Sequence, residues 1–321
     1  MKDRNIQTFR AIAIIAVVMI HTTPSGQWQI FFKPVINFAV ATFIFLSGYL
    51  TGTGCDNWHR FYRRRITRVI VPYFIWTVIY SIPDIRSAGP AALVKNLLCA
   101  NATTTLYYIF VYIQFVLLTP LLGRLAESPY RPLGWLVTPL SVIIFKYIPV
   151  FGGMHPDRYM VLFWNDACLG WFTFYYLGLV LGNKIIDRKF NIRNLTVLYC
   201  ASLLLQMTEG YIWSAVDPAG CGSQLKLTSI LSSSIFMLMI YYILDGSHND
   251  PRGRFLSTIG DCSSGIFFVH MMILKGLEPL TFYKALPYPV NSVVVLSISF
   301  IFCYILSAAS GKKAGRWLGL T

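Results

Sequence analysis

The sequence predicts an all-α protein, a polytopic membrane helix bundle of about ten transmembrane helices with both termini in the cytoplasm. Of its 321 residues, 55% are hydrophobic and 12% are charged, against about 25% charged residues in soluble domains. The apolar residues occur in long runs, including 66–80, 106–122 and 293–309. Such runs are typical of helices that cross a hydrocarbon core, which takes about 20 residues each.

Ten spans follow from the apolar runs and from the short linkers between them, which are rich in Pro, Gly and polar residues. Some spans are short, and others are long enough to tilt. No long linker interrupts the chain, so we expect residues 1–321 to form a single transmembrane domain with no soluble extracytoplasmic domain. The predicted spans are 6–22, 29–53, 66–83, 104–122, 133–150, 164–183, 193–213, 224–244, 256–276 and 288–309.

The distribution of basic residues predicts the orientation of the spans. With the N-terminus inside, the cytoplasmic segments hold 19 of the 27 Lys and Arg residues, as the positive-inside rule requires. Two cytoplasmic termini also need an even number of spans. The N-terminus resembles the start of a signal peptide, but no small-x-small cleavage site follows its apolar run, which predicts a retained first span.

The net charge of +14 does not indicate nucleic-acid binding. Basic loops of a membrane protein explain it, and no basic stripe is interleaved with aromatic residues as on a soluble nucleic-acid-binding domain. The seven cysteines include no Cys-x-x-Cys spacing, and most lie in or beside apolar segments, where they act as small hydrophobic residues. The sequence therefore predicts no metal site.

Arg10 and His21 lie eleven residues apart in the first apolar run. Eleven residues make three helical turns plus roughly 20°, so the two side chains project from nearly the same face, roughly 16 Å apart along the axis. Ionisable groups inside a membrane are costly and normally mark a functional site. The alternative is an Arg that snorkels to the inner boundary and a His at the outer headgroup level.

The segment Ser47-Gly48-Tyr49 lies near the inner end of the second predicted span. Small residues such as Ser and Gly let membrane helices approach closely. On this pattern alone, a packing role is favoured over a chemical one.

A basic run at 60–68 precedes the third span and includes Arg63, Arg65 and Arg68. One interpretation is a topology signal that contacts anionic lipid headgroups. The other is a cytoplasmic phosphate site, because guanidinium groups match the geometry of phosphate oxygens.

His270 lies in the ninth predicted span at nearly the depth of His21. At 1.5 Å per residue, His270 is about 21 Å above residue 256, and His21 is about 22 Å above residue 6. Two histidines at one depth predict a shared cavity, although a His that hydrogen bonds between helices is an equal alternative. Glu209 is a further candidate for this cavity near the outer side, or it lies at a helix interface.

Taken together, these segments resemble the acyltransferase-3 family of integral membrane acyltransferases. The first span resembles the family's Arg, ten residues, His signature, and the second its Ser-Gly-aromatic element. The resemblance covers essentially the whole chain. It also includes the basic loop before Pro72, the late pattern of small residues, aromatics and His at 264–270, and a fourth-helix element that contains Tyr107 and Gln114, with Tyr107 where relatives often have Trp.

The resemblance is strongest to stand-alone surface-polysaccharide O-acetyltransferases. It implies a multi-pass enzyme of the plasma membrane and cell envelope, which moves an acyl group, usually acetyl, from cytoplasmic acetyl-CoA to a hydroxyl of a surface glycan or lipid-linked sugar. Acetyl-CoA is a co-substrate in this interpretation, and no metal takes part. The implied partners are acyl-CoA, a glycan or glycolipid acceptor and the lipid bilayer.

The expected mechanism assigns one role to each part of the site. Arg63, Arg65 and Arg68 hold the CoA phosphates, and Ser47 and Tyr49 contact the donor. Arg10 lines the path of the donor or orients His21 through other groups. His21 acts as the general base on the acceptor hydroxyl, or it carries the acyl group as an acyl-His intermediate. The candidate cavity residues His270, Glu209, Tyr107 and Gln114 complete the predicted site.

Two other classes of function remain open at this stage. A secondary transporter would also have about ten helices and buried polar groups, but transporters often show inverted repeats and paired broken helices. No half-to-half match is evident in this sequence. A non-catalytic membrane scaffold would have no need for two histidines at the same depth in the membrane.

Overall fold

The computed structural model describes residues 3–55, 57–153, 164, 166–186, 190–246 and 254–320, and every regular element in these ranges is helical. A π-helical turn at Ile143–Tyr147 joins the helices Arg131–Val142 and Ile148–Phe151, and a 3-10 turn at Cys168–Trp171 leads into the helix Phe172–Gly182. The α-helices, in chain order, are α1 Arg4–Thr22, α2 Gln27–Phe31, α3 Lys33–Ile36, α4 Phe38–Tyr49, α5 Trp58–Tyr80, α6 Ile82–Ala88, α7 Ala91–Cys99, α8 Tyr107–Glu127, α9 Arg131–Val142, α10 Ile148–Phe151, α11 Phe172–Gly182, α12 Ile192–Ser214, α13 Leu227–Gly246, α14 Arg254–Asp261, α15 Ser263–Leu277, α16 Thr281–Lys284 and α17 Val290–Trp317.

Six helical segments within the described ranges are long and apolar enough to cross a membrane, and two bent pairs raise the number to eight. Two shorter apolar helices, Lys33–Tyr49 and Cys168–Gly182, lie in the second and sixth predicted spans. The all-helical membrane fold is therefore confirmed, with six to eight candidate crossings. The six are Arg4–Thr22, Tyr107–Glu127, Arg131–Phe151, Ile192–Ser214, Leu227–Gly246 and Val290–Gly311.

The two short helices cross each other at a contact made of glycines. A Cβ atom on Gly178 of α11 would lie 2.2 Å from the carbonyl oxygen of Phe45 in α4, and one on Gly182 would lie 2.2 Å from that of Tyr49. Gly48 faces the Tyr175 carbonyl at the same distance. Backbones this close require residues without side chains. The packing role predicted for Gly48 follows directly from this crossing.

Two breaks bend neighbouring helices. α5 and α6 meet at 51° around Ser81, where Pro83 in the first turn of α6 cannot donate a backbone hydrogen bond to continue α5. The segment Phe255–Asp261 meets α15 at 74° around Cys262. α15 begins at Ser263, directly after this break.

The buried apolar side chains form two main clusters. One is centred on α4, α8 and α11 and includes Phe115 and Tyr175, whose stacked rings lie 4.6 Å apart. The other joins α1, α5, α15 and α17 and includes Trp76, whose indole Nε1 donates a hydrogen bond to the Leu318 carbonyl at 3.1 Å. Tyr108 packs against both clusters.

Candidate functional site

A cavity of about 1130 Å³ lies between α1, α4, α5, α8 and α15. Its volume is slightly above the range of about 300–1,000 Å³ that is usual for small-molecule pockets. Arginines line one part of it and His21 lines another, so one continuous space joins the two. The main polar and aromatic lining residues are Arg10, His21, Ser47, Asn57, Arg60, Phe61, Arg64, Arg65, Arg68, Thr105, Tyr107, Tyr108, Tyr112, Gln224, Ser263, Ser264, Phe267 and Phe268.

Two histidines lie side by side at the end of the cavity nearest the C-terminus of α1. The ring centroids of His21 and His270 are 5.4 Å apart, with planes inclined by 49°. His21 is half-buried and lines the cavity, whereas His270 is fully buried behind it. Nδ1 of His270 lies 2.8 Å from the Ile266 carbonyl oxygen, and its Nε2 has no hydrogen-bond partner among the described residues.

Arg10 lies on the same face of α1 as His21, and its half-buried side chain lines the same cavity. Nothing in the described ranges forms a hydrogen bond or an ion pair with its guanidinium group. A membrane-embedded guanidinium is costly unless it is paired or solvated. The group is therefore available for an anionic or carbonyl ligand in the cavity.

The other end of the cavity is basic. Arg60, Arg64 and Arg68 are spaced by four residues and share one face of α5. Arg65 extends this surface: its Nη2 donates to the Leu50 carbonyl at 3.1 Å, and its Cζ lies 4.9 Å above the ring of Phe61. Among the lining residues that the structure describes, none is acidic. This basic mouth, Arg60, Arg64, Arg65 and Arg68, has the charge and the donor geometry for phosphate groups.

Aromatic residues form the wall between the two ends. Tyr107 stacks on Trp171 with centroids 6.5 Å apart, and Tyr108 contacts Phe267 at 5.5 Å and Tyr112 at 6.4 Å. All of these except Trp171 line the cavity. Aromatic rings and tyrosine side chains therefore line the cavity beside Arg10, a mixed surface that suits a thin, weakly polar ligand chain.

Ser47 occupies a different position from its neighbour Tyr49. Ser47 lines the cavity, and its buried Oγ has no hydrogen-bond partner within the described part of the chain. Tyr49 instead packs against Phe45 and Tyr241, with centroids 6.0 and 6.4 Å apart, and does not line the cavity. The donor contact predicted for Tyr49 therefore has no geometric support.

Arg63 and Gln114 also lie outside the cavity lining. Arg63 is exposed and does not line the cavity. Gln114 holds the start of the 3-10 turn: its Nε2 donates to the Asp166 carbonyl at 2.6 Å, and its Oε1 accepts from the Cys168 amide at 3.0 Å. This is a structural contact between α8 and the segment before α11.

Glu209 belongs to a separate polar cluster. Its carboxylate accepts hydrogen bonds from the hydroxyls of Tyr147 and Thr228 and lies 3.9 Å from Nζ of Lys226. Lys226 is 1% exposed and also donates to the Cys221 carbonyl at 2.6 Å. Glu209 therefore neutralises a buried lysine between α12 and the start of α13, and it does not line the cavity.

The cavity includes residues that the sequence did not single out. The spacing of Arg60, Arg64 and Arg68 at intervals of four residues was a signal in the sequence, but the orientation of α5 decides which arginines face the cavity. Gln224 lies in the loop before α13 and lines the cavity, and its buried Oε1 has no partner within the described ranges. No periodicity or motif marks such a loop residue.

The helices of the described ranges, and the cavity that contains both the basic mouth and His21, define a multi-pass membrane protein with a cavity of ligand size within its bundle. The family model described as an acyltransferase domain, that of the acyltransferase-3 family, matches residues 3–308. The chain belongs to this family and is, by that membership, a membrane acyltransferase. No curated protein and no solved structure matches it.

Proposed function

We propose that the protein transfers an acyl group, most simply acetyl, from cytoplasmic acyl-CoA to a hydroxyl group of a surface glycan or lipid-linked sugar. Family membership supports acyl transfer. The single observation that carries the rest is the continuity of the cavity, which contains the basic mouth, Arg10 and His21 together. A ligand with a polyanionic head and a long, thin arm fits this arrangement, and acyl-CoA has that form.

The phosphates of the donor bind at the basic mouth, where Arg65 and Arg68 are joined by Arg60 and Arg64. Guanidinium groups bind phosphate through paired, charge-assisted hydrogen bonds. The pantetheine arm then passes the aromatic wall toward His21, and Arg10 lines this path. Ser47, whose hydroxyl is unpartnered, donates to the thioester carbonyl oxygen, where negative charge develops during attack.

His21 is the general base in this proposal. The acceptor oxygen attacks the thioester carbonyl carbon, its proton passes to a ring nitrogen of His21, and the C–S bond breaks as the C–O bond of the ester forms. The departing thiolate takes up the proton from His21, which restores the neutral ring. General-base help of this kind is typically worth about 10²–10⁴-fold in rate.

The proposal includes ten spans, cytoplasmic termini and a location in the plasma membrane. The excess of Lys and Arg in the predicted cytoplasmic segments supports this orientation. The basic mouth then faces the cytoplasm, where acyl-CoA is made, and His21 lies toward the outer half of the membrane, where a surface glycan is reached.

The decisive experiment compares His21→Ala with His59→Ala. His59 is an exposed residue of α5 outside the cavity lining, so it controls for loss of an imidazole. Membranes that contain each variant receive acetyl-CoA labelled in the acetyl group, and label in glycan or glycolipid is counted at matched protein level. We expect loss of transfer for His21→Ala and wild-type transfer for His59→Ala.

Full transfer by His21→Ala would remove His21 from the mechanism. A transporter would cleave no thioester in either variant, so absence of CoA release from the purified wild-type protein with its membrane lipids would favour transport. A burst of CoA release without acceptor would instead indicate an acyl-His intermediate. Mass spectrometry of surface glycans from cells with and without the protein identifies the acyl group by its mass.

A further inference from the structure

His270 has a hydrogen-bond arrangement that fixes which of its ring nitrogens carries a hydrogen. Its Nδ1 lies 2.8 Å from the carbonyl oxygen of Ile266. A carbonyl oxygen only accepts hydrogen bonds, so Nδ1 must be the donor. In the neutral ring, Nε2 then carries a lone pair and can only accept. His270 therefore presents an acceptor, and not a donor, to whatever lies beside Nε2.

That acceptor is buried and unpartnered. His270 is 0% exposed, and Nε2 has no hydrogen-bond partner within the described ranges. A buried polar atom without a partner is unusual in a folded protein and calls for a functional or structural explanation. The ring beside it is that of His21, with centroids 5.4 Å apart.

This separation is short enough for a direct contact. Once the radius of each ring is subtracted, nitrogens that face each other come close to the usual hydrogen-bond distance of about 3 Å. His21 forms no hydrogen bond with another described residue, so rotation of its ring is not opposed by an existing bond. A small rotation of the His21 ring brings one of its N–H groups to Nε2 of His270, so that both rings gain a hydrogen-bond partner.

We propose that His270 is the positioning residue for His21: its Nε2 accepts a hydrogen bond from an N–H of His21 when substrates fill the cavity. This inference rests on the proposed function, in which His21 is the base. With one nitrogen of His21 committed to His270 as a donor, the other must carry the lone pair. That second nitrogen faces the cavity, where the acceptor hydroxyl binds.

The same contact stabilises His21 after it has taken up the proton. The imidazolium form of His21 donates a stronger, charge-assisted hydrogen bond to Nε2 than the neutral ring does. No proton passes to His270, whose Nδ1–H stays bonded to Ile266. The arrangement fulfils with a neutral imidazole the orienting role that a carboxylate fulfils in serine hydrolases.

Two substitutions separate this role from simple packing. In His270→Asn the side-chain amide reaches the position of Nδ1, so it keeps the bond to the Ile266 carbonyl and loses the acceptor toward His21. In His270→Gln the amide oxygen reaches the position of Nε2 and keeps that acceptor. If His270 has only a structural role, His270→Asn should retain more activity than His270→Gln. If His270 positions His21, His270→Gln should retain more activity than His270→Asn.

Initial rates of transfer from labelled acetyl-CoA are measured in membranes at varied donor concentration. For His270→Asn we expect kcat to fall by a large part of the general-base factor of about 10²–10⁴, with KM for acetyl-CoA little changed. His270→Gln should recover much of the loss in kcat. Wild-type kcat in His270→Asn, or equal loss in the two variants at matched folded protein, would overturn the positioning role.

A second measurement does not depend on activity. Nitrogen-15 NMR of histidine-labelled protein in detergent resolves five histidines and reports which ring nitrogen is protonated in each. We expect His270 to have hydrogen on Nδ1, and we expect the His21 ring to lose its single preferred tautomer in His270→Asn and to keep it in His270→Gln. Hydrogen on Nε2 of His270, or an unchanged His21 signal in His270→Asn, would contradict the inference.

These outcomes distinguish the inference from the proposed function. If His21→Ala retains transfer, the general-base proposal fails whatever the NMR spectra show. If His21→Ala is inactive while His270→Asn has wild-type kcat, the general base stands and its positioning by His270 is wrong.

Discussion

The hydroxyl of Tyr80 donates a hydrogen bond to the carbonyl oxygen of Phe268 at 2.7 Å. The hydroxyl oxygen of Tyr80 in turn accepts a hydrogen bond from the amide of Met272 at 2.9 Å. Phe268 and Met272 are partners that a regular α-helix joins directly, four residues apart, and they flank His270 in α15. Tyr80 of α5 therefore helps to set the local geometry of the helix that carries the buried histidine.

Tyr80→Phe should lower the transfer rate and the stability together. Loss of a buried hydrogen-bonded hydroxyl costs about 0.5–1.5 kcal/mol, and the shift of α15 moves His270 relative to His21. Tyr283→Phe is the matched control, because the Tyr283 hydroxyl is buried with no partner among the described residues. Thermal unfolding in detergent and transfer assays should show Tyr283→Phe unchanged or more stable. Equal effects of the two substitutions would contradict this prediction.

Replacement of Gly178 by Ala should destabilise the bundle. The added Cβ would lie 2.2 Å from the Phe45 carbonyl oxygen, so α4 and α11 must separate, and overpacking of this kind typically costs about 1–3 kcal/mol. Gly276→Ala in α15 is the control, since nothing lies within 4 Å of its Cβ position. There, helix propensity should raise the melting temperature. A melting temperature of Gly178→Ala at or above that of the wild type would show that the crossing tolerates a side chain.

Arg65→Gln and Arg68→Gln should raise KM for acetyl-CoA. A hydrogen bond to a charged group contributes about 1.5–3 kcal/mol, which corresponds to a tenfold rise or more for each lost phosphate contact. Arg63→Gln removes the same charge from the same helix outside the cavity lining, so its KM should stay near that of the wild type. The same rise in KM for all three would indicate a general effect of the basic run on lipid or topology.

Glu209→Gln should lower stability without lowering the rate per folded molecule. The substitution leaves Lys226 buried without its counter-charge, 3.9 Å away in the native protein, and loss of one partner of a buried pair costs about 3–5 kcal/mol. Adding Lys226→Met should restore part of the melting temperature. A reduced transfer rate per folded molecule would contradict this prediction and indicate that Glu209 takes part in the reaction.

Which side chains share one face of a single helix could be predicted from the sequence. The eleven-residue interval between Arg10 and His21 placed both on one face of α1, and both line the cavity. Such predictions need only the helical period. The all-helical fold likewise followed from the length of the apolar runs.

The arrangement between helices could not be predicted in the same way. Arg60 and Arg64 line the cavity and Arg63 does not, because the packing of Trp76 and Tyr73 in the second core cluster sets the rotation of α5. The second and sixth spans are shorter than predicted, because the chain breaks between α2, α3 and α4 and enters α11 through a 3-10 turn. Hydropathy alone does not show where a helix breaks.

The basic mouth has a consequence for the protein when no donor is bound. Four guanidinium groups with no described acidic residue among the lining attract counterions from the surrounding solution, and these must leave when a polyanion enters. Chloride, sulfate or free nucleotide will therefore compete for this space, and dilution of the buffer will tighten donor binding. The saturation of the protein inside a cell is thus governed by the whole pool of small anions at that membrane surface, and not by the concentration of one thioester alone.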